Sequence, residues 1–438
     1  MDTIAAIATN PLFSAGISII RISGDNAESV IDKIFSCSAA PQERKPNVMY
    51  LGTVKGKNFS EKAFCVFYKA PKSYTGEDVA EIHCHGGRGV TTAVLNLILE
   101  NGARLAEAGE FTKRAFLNGK MSLSEAEGVA EMINAETEGQ VKNAYRLMSG
   151  ELNTLLEKIY SDLTYCAALS EAKMDYPEET EDEDIGACKQ IIAKALSEVR
   201  DLLKSSANRK ILQNGADIAI IGIPNAGKSS FLNAVCKEDR AIVTALAGTT
   251  RDVVKESVEV GGIKLNFLDT AGIRESGDEI EKIGIERSRK AAANADVVIF
   301  ITDATVESEK EEEIAKLTEG RPTVRVCNKT DEEKYPKEGI RICAKTGENV
   351  DKVLEEVLKK VKSDEIKTNG VITVERHISA LRECEKHLAD CLDGYETKTP
   401  DLIAVDLYQA RKALGKIGGK DVPEETVNEI FSRFCVGK

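Results

Sequence analysis

The sequence predicts a multidomain α/β protein. An N-terminal α+β domain leads into a central all-α helical domain, and an α/β domain is inserted within the helical one. Three observations predict this order. Residues 1–118 alternate short β-like runs ("GISIIRIS", "KAFCVFYKA", "DVAEIHCH") with turns. Helical periodicity then occupies 119–212 and returns over 369–438. Between the two, residues 213–368 alternate strand and helix, the signature of a parallel sheet. Exposed loop tips tolerate whole inserted domains, so the two helical stretches read as one domain interrupted.

Length and composition narrow the classes. At 438 residues the chain has room for two or three domains, each with its own core. It is 42% hydrophobic and 30% charged, the balance of a soluble globular protein. No apolar run approaches the roughly 18–20 residues that span a bilayer. The start "MDTIAAIATNPLF" has neither a basic n-region nor a clear cleavage site. Eleven cysteines are scattered with no CxxC pair, which suggests reduced thiols and a cytoplasmic location. The net charge of −13 argues against a chain that grips nucleic-acid phosphates over its whole surface.

The elements follow in order. In the first domain His83 and His85 project from one face of a strand, but two histidines without further ligands do not make a zinc site. In the helical stretch Val141, Ala144, Met148, Leu152, Leu155, Ile159 and Leu163 recur at spacings of three and four, which predicts one continuous apolar stripe. Neither Gly nor Pro interrupts 151–176. The acidic run "EETEDEDIG" (178–186) lacks EF-hand spacing and reads as a solvated loop. After the insertion, Ile378, Leu381, Cys384, Leu388 and Cys391 restore the helical period. Val427, Ile430, Phe431 and Phe434 predict a last helix with one buried face.

The inserted domain carries the strongest signal. In "IAIIGIPNAGKSSFLNAV" an apolar strand (Ile218 to Ile221) runs into Gly222-x4-Gly227-Lys228-Ser229 and then a helical pattern. Such a P-loop lets backbone N–H groups cradle phosphates at a helix N-terminus. Lys228 would reach the β/γ-phosphates, and the Ser229 hydroxyl would ligate Mg²⁺. "LDTAG" closes the strand "IKLNFL", placing Asp269 toward the Mg²⁺ and the Gly272 amide toward the γ-phosphate. "NKTD" (Asn328, Lys329, Thr330, Asp331) ends the strand "TVRVC". The Asp331 carboxylate there can accept from guanine N1–H and its amine, donors that adenine does not offer on that edge. "CAKTG" stands where such domains usually carry Ser-Ala-Lys. Cys343 is a departure, while the base-facing backbone of Ala344, followed by Lys345, survives it. These motifs predict a Ras-like P-loop G domain that binds GTP. Its contacts are Asn225, Ala226, Gly227, Lys228, Ser229 and Ser230, then Thr244, Ala245, Leu246, Ala247, Gly248, Thr249 and Thr250, and then Asp269, Thr270, Ala271 and Gly272 together with the two base motifs. Thr250 in "TALAGTTRD" is the second Mg²⁺ ligand. Ile273 follows "DTAG" where Ras-like enzymes place a water-orienting glutamine, so another group must do that work. Arg251 and Arg274 are nearby, but neither is obviously placed as an arginine finger.

The chain resembles the MnmE (TrmE) family of tRNA modification GTPases along essentially its whole length. "GIPNAGKSS", "AGTTRD", "DTAGIRES" and "EKIGIER" match the family's G domain, a set that P-loop GTPases in general share. "SYTGEDVAEIHCHGG", "GEFTKRAFLNGKMSLSEAE" and "FCVGK" match blocks that ordinary GTPases lack. The resemblance implies a potassium ion in place of an arginine finger, held by the Asn225 and Thr249 side chains and the Thr244 and Leu246 carbonyls. It implies that Glu281 orients the attacking water, although its neighbours alone would make it a solvated helix residue. It makes the first domain a folate-binding, dimer-forming module with Arg21, Glu81, Lys120 and Lys438 as contacts for a tetrahydrofolate derivative, 5,10-methylene- or 5-formyl-tetrahydrofolate. The implied activity is a potassium-activated GTPase that works with the flavoprotein MnmG at C5 of the tRNA wobble uridine, as a homodimer with no membrane contact. Two departures fall in the first domain: "NPLFSAGIS" replaces a Gly-Arg-Gly-type run, and Ala108 replaces a proline.

A second class shares "GTTRD" and "DTAG": ribosome-assembly or regulatory GTPases. Those carry RNA-binding appendages such as a KH domain, and "GGKD" (418–421) sits in helical, acidic surroundings unlike a GXXG loop. "FCVGK" also fails as a prenylation box, since Gly437 is not aliphatic. For Cys435 two readings stay open, a buried thiol at a helix end and a catalytic participant.

Overall fold

A computed structural model describes residues 2–10, 13–175, 182–237, 256–268, 289–361, 372–420 and 422–437. They divide into two compact units. One comprises Met1–Ala130, Leu147–Ser161 and Arg411–Lys438; the other comprises Glu131–Arg146 and Asp162–Ala410.

The first unit opens with a seven-stranded sheet in the order β3-β4-β5-β6-β2-β1-β7. Its strands are β1 (Ile4–Ile7), β2 (Ala15–Ser23), β3 (Phe35–Cys37), β4 (Tyr50–Lys55), β5 (Ser60–Tyr68), β6 (Val79–Gly86) and β7 (Arg104–Leu105). Neighbours run antiparallel apart from the short parallel β1–β7 pair. Alternation along the strands sorts two faces. Ile20, Ile22 and Ile82 are buried together with Val30 and Ile31 of α1 (Ala27–Ile34) and Val94 and Ile98 of α2 (Arg88–Glu100). Arg21 and Glu81, one residue out of phase, stand on the opposite face. There Ile4 and Ala6 pack with Phe111 of α3 (Glu110–Leu117) and with Tyr74.

The helical pattern resolves into α4 (Leu123–Asn134), α5 (Glu138–Met148), α6 (Glu151–Asp175), α7 (Asp182–Ser205) and α8 (Arg209–Asn214). The expected single stripe from Val141 to Leu163 is broken. Gly150 takes a left-handed φ of 77°, which ends α5 and starts α6 on a new phase. Leu156, Ile159 and Leu163 are then the buried positions, while Val141 and Met148 stay largely exposed.

The second unit holds a six-stranded sheet, order β13-β12-β11-β8-β10-β9. Its strands are β8 (Ala216–Ile221), β9 (Glu256–Val260), β10 (Ile263–Leu268), β11 (Val297–Asp303), β12 (Thr323–Asn328) and β13 (Ile340–Arg341). Every pair is parallel except β9–β10. The central strands are apolar runs, as a parallel sheet covered on both faces requires, and all seven residues of β11 are buried. The covering helices include α9 (Lys228–Lys237), α10 (Glu309–Lys316) and α11 (Val350–Val361). On α11, Val350, Val353, Leu354, Val357 and Val361 make one buried stripe. Three more helices follow: α12 (Glu375–Asp393), α13 (Pro400–Gly418) and α14 (Glu424–Ser432). On α12 the expected Ile378, Leu381, Cys384, Leu388 and Cys391 are all buried.

Within the first unit α14 closes a small core: Val427, Phe431 and Phe434 pack with Leu123 and Ala126. The Phe431 ring lies 5.2 Å from that of Phe434 and 6.2 Å from that of Phe116. The segment beyond α14 bridges Val436 to Ala108, and a Cβ on Gly437 would stand 2.3 Å from the carbonyl of Ile7. Gly437 therefore lies against β1.

Candidate functional site

Parallel α/β sheets bind ligands beyond the C-terminal ends of their strands, and the expected motifs lie at those ends. β8 ends at Ile221, and the loop to α9 follows. Asn225 adopts φ 65° and Gly227 φ 94°, the kind of winding that turns successive backbone N–H groups inward. At Gly227 no other residue fits, because an added Cβ would stand 2.1 Å from the Asn328 amide nitrogen.

Asn328 is 2% exposed and ties two loops together. Its Nδ2 donates to the carbonyl of Ala226 at 2.8 Å, and its Oδ1 accepts from the backbone N–H of Ala344 at 3.0 Å. The first residue of "NKTD" thereby fixes the phosphate-binding loop against the "CAK" loop. Thr330 adds a second tie, its hydroxyl donating to the carbonyl of Ile342 at 3.0 Å. Cys343 is buried, and its carbonyl accepts from the N–H of Thr346 and of Gly347, so the unusual residue supports a turn and faces away from solvent. Lys345 and Asp331 are exposed at the mouth of these loops.

Lys228 folds onto its own loop. Its ammonium donates to the carbonyls of Gly222 at 2.9 Å and Ile223 at 2.8 Å, and burial lowers its pKa below the usual lysine value. A cation held by two loop carbonyls at the start of a helix fits a polyanion. The exposed Ser229 and Ser230 begin α9 beside it. Ser229 at a helix start, next to a phosphate-binding loop, suits Mg²⁺, which usually keeps few protein ligands and leans on substrate phosphates.

One participant escapes a motif reading. Asp303, the last residue of β11, lies opposite Asn328 in the β11–β12 register and is 3% exposed. It accepts from the Lys329 ammonium at 2.6 Å and from the N–H and hydroxyl of Thr305. Burial would raise its pKa, and the hydrogen bonds from Lys329 and Thr305 outweigh that and lower it. The available signal was an acid closing an otherwise apolar strand.

Thr244 to Thr250, Asp269 to Gly272, Arg251, Ile273, Arg274, Glu281 and Lys438 lie outside the described residues. Of the expected potassium ligands only Asn225 is described.

A second polar cluster sits on the first sheet. Arg21 and Glu81 are direct cross-strand partners, with Arg21 Nε donating to Glu81 Oε1 at 2.9 Å. Their side chains are 16% and 12% exposed, so neither is an ordinary surface charge. The Arg21 guanidinium lies 5.2 Å from the Tyr74 ring and 5.8 Å from the Phe111 ring. His83 Nε2 stands 3.3 Å from the other Glu81 oxygen, while His85 pairs with Glu61. The two histidines thus turn to separate glutamates, and no cluster able to hold a metal occurs among the described residues. Lys120 donates to the carbonyl of Pro71, on the loop that supplies Tyr74. The divergent "NPLFSAGIS" segment contributes Phe13, Ile17 and Ser18 to a cavity of about 210 Å³ beside Ile7 and Arg88. Cys435 corrects one expectation: it is exposed, so it is no buried helix-end thiol. Its carbonyl accepts from the Gly109 N–H.

Comparison with known proteins accords with this arrangement. The family description "GTP-binding protein TrmE N-terminus" matches residues 3–120, and "MnmE helical domain" matches 123–435. A tRNA modification GTPase MnmE of Lactobacillus delbrueckii is 38% identical over 456 residues, covering 100% of this chain and 98% of that protein. The chain belongs to the MnmE family of tRNA modification GTPases. MnmE proteins of Clostridioides difficile and Pseudothermotoga lettingae are 39% and 37% identical, each aligned with all of this chain and with 99% and 100% of their own lengths. Among solved structures, Era of Aquifex aeolicus is 26% identical over 39% of this chain and 66% of its own, with a TM-score of 0.28. The FeoB G domain of T. maritima is 20% identical over 34% of this chain and 99% of its own, with a TM-score of 0.27. No helix among the described residues is long and apolar enough to cross a membrane.

Proposed function

We propose that this chain hydrolyses GTP in a potassium-dependent cycle and, with a flavoprotein partner of the MnmG type, installs an aminomethyl-type group at C5 of the wobble uridine of tRNA. One observation carries the nucleotide half: Asn328 bonds both the phosphate-binding loop and the base-recognition loop, so one side chain sets the distance between triphosphate and guanine. Lys228 leaves its loop carbonyls for the β/γ-phosphates. Ser229, with Thr250, would hold Mg²⁺, which neutralises phosphate charge when bound. Asp331 accepts from the guanine edge, beside the base-facing backbone of Ala344. Asn225, with Thr244, Leu246 and Thr249, would hold a potassium ion that offsets charge developing in the transition state, and Glu281 orients water. G domains of two chains meet to complete this loop, and the N-terminal domains form the homodimer.

The one-carbon half is supported by the Arg21–Glu81 pair. A carboxylate with a guanidinium beside it on an aromatic shelf suits a pterin edge and an anionic tail of a tetrahydrofolate. Lys120 and Lys438 complete this set, and Cys435, exposed near it in sequence, takes part in the modification chemistry. The location is the cytoplasm, where the substrate tRNA resides.

Three measurements test the proposal. GTP hydrolysis should be several-fold faster in potassium than in sodium buffer; equal rates refute the cation assignment. Mass spectrometry of bulk tRNA from a deletion strain should show the wobble modification missing. Unchanged uridine would leave a regulatory GTPase instead. Cys435→Ser should spare GTP hydrolysis while abolishing the modification.

A further inference from the structure

We propose that Asp303 is a positioning residue for guanine-nucleotide binding, which it exerts by holding Lys329 in place. The proposal rests on the reading of Lys329 as a base-facing residue.

Three observations carry it. Lys329 has the left-handed backbone of φ 63°, uncommon for a residue with a side chain. That conformation aims a long, rotamer-rich stem away from the direction a strand would give it, and ordering such a stem has an entropic cost. The ammonium is nevertheless fixed, at 2.6 Å from Asp303 Oδ2. The two residues are unequally solvated: the Asp303 side chain is 4% exposed and that of Lys329 37%. The buried member therefore sets the position of the exposed one.

Asp303 is itself immobilised. Its Oδ1 accepts from the N–H of Thr305 at 2.8 Å and from the Thr305 hydroxyl at 2.6 Å, and its own N–H donates to Glu311 Oε1 at 3.2 Å. Glu311 in turn pairs with Lys337 at 2.5 Å, and Lys337 also donates to the carbonyl of Val306. The loop after β11 and the loop after "NKTD" are joined by this ladder and by the N–H groups of Lys334 and Tyr335 on the carbonyl of Ala304. With its charge satisfied, the Lys329 stem presents its methylene face, the surface a purine ring would cover. Without Asp303 the ammonium is released to solvent and each binding event must order the stem anew.

The substitution D303N separates this role from a structural one. An asparagine keeps the Oδ1 acceptor for Thr305 and replaces only the oxygen facing Lys329. In the full-length protein, D303N should weaken binding of a fluorescent GDP analogue about tenfold, about 1.4 kcal/mol, while its melting profile stays within a few degrees of the parent. The decisive experiment is a double-mutant cycle with K329A. If Asp303 acts through Lys329, D303N adds less than about twofold once Lys329 is gone. Equal losses in both backgrounds, or parental affinity in D303N, overturn the proposal. Parental affinity in K329A overturns the base-facing reading itself, and the proposal with it. Should D303N fail to fold, D303E, which keeps the charge but moves it by one methylene, enters the same cycle with the same criteria.

Discussion

Asn328→Ala is the substitution whose consequence follows most directly from the geometry. The amide is 2% exposed and makes two hydrogen bonds, 2.8 Å to the Ala226 carbonyl and 3.0 Å from the Ala344 N–H. Alanine removes both and leaves a carbonyl and an N–H without their partner in a buried setting. Each such bond is worth about 1–1.5 kcal/mol net, so the loss is about 2–3 kcal/mol. If that energy holds the two loops at the separation a nucleotide needs, the loss falls on binding, and about 1.4 kcal/mol is a factor of ten. Titration of a fluorescent GDP analogue should then give a dissociation constant roughly 30–150-fold above that of the parent. The first unit contributes nothing to this bond, so its unfolding in denaturant should be unchanged. An N328A protein that binds within threefold of the parent would refute the reasoning, since the loops would then be set by something other than this side chain.

Three further outcomes are expected. Phe431→Ala removes a ring that is 1% exposed at the centre of the α14 core. It should destabilise the first unit by about 3–4 kcal/mol in urea denaturation, with nucleotide affinity unchanged. Acid should weaken the same unit through Glu110. Burial pushes its carboxyl up, but hydrogen bonds from Arg104, the Glu107 N–H and Arg114 prevail and bring it to about 2 from 4.5. A depressed carboxyl contributes stability above its unfolded value that is lost as pH falls toward the folded one. The urea midpoint should therefore drop between about pH 4.5 and 2, and Glu110→Gln should flatten that slope. Finally, Glu81→Gln leaves Arg21 without its partner charge and should raise the dissociation constant for a reduced folate about tenfold or more by calorimetry, while GTP hydrolysis proceeds at the parental rate.

What the sequence revealed, and what it did not, follows from how far each signal reaches along the chain. The phosphate-binding loop was legible because its glycines and lysine sit within eight residues and each answers a local backbone demand. Gly227 is glycine because the Asn328 amide occupies the space of a Cβ. The buried faces of α12 and α14 were legible for the same reason, since helical periodicity is local. The break at Gly150 was not, because spacings of three and four continue through it and only the left-handed turn resets the phase. Asp303 gave only the weak signal of an acid ending β11, because its partner lies across a strand pair and no spacing rule links the end of β11 to "NKTD". Arg21 and Glu81 were picked out only by the family resemblance, because nothing local links two charges so far apart in sequence. Their meaning comes from a register that puts one directly opposite the other.

The small core closed by α14 has a consequence for how the polypeptide is made. Leu123 and Phe116 leave the ribosome roughly 300 residues before Phe431 and Phe434, which cover them. At about 5–20 residues per second, that delay is on the order of 15–60 s. For that time the nascent chain carries a bare aromatic and aliphatic surface whose own lid does not yet exist. Early-translated sequence here cannot complete its packing as it emerges. It waits for a late segment, and in that interval a holdase has an apolar patch to bind.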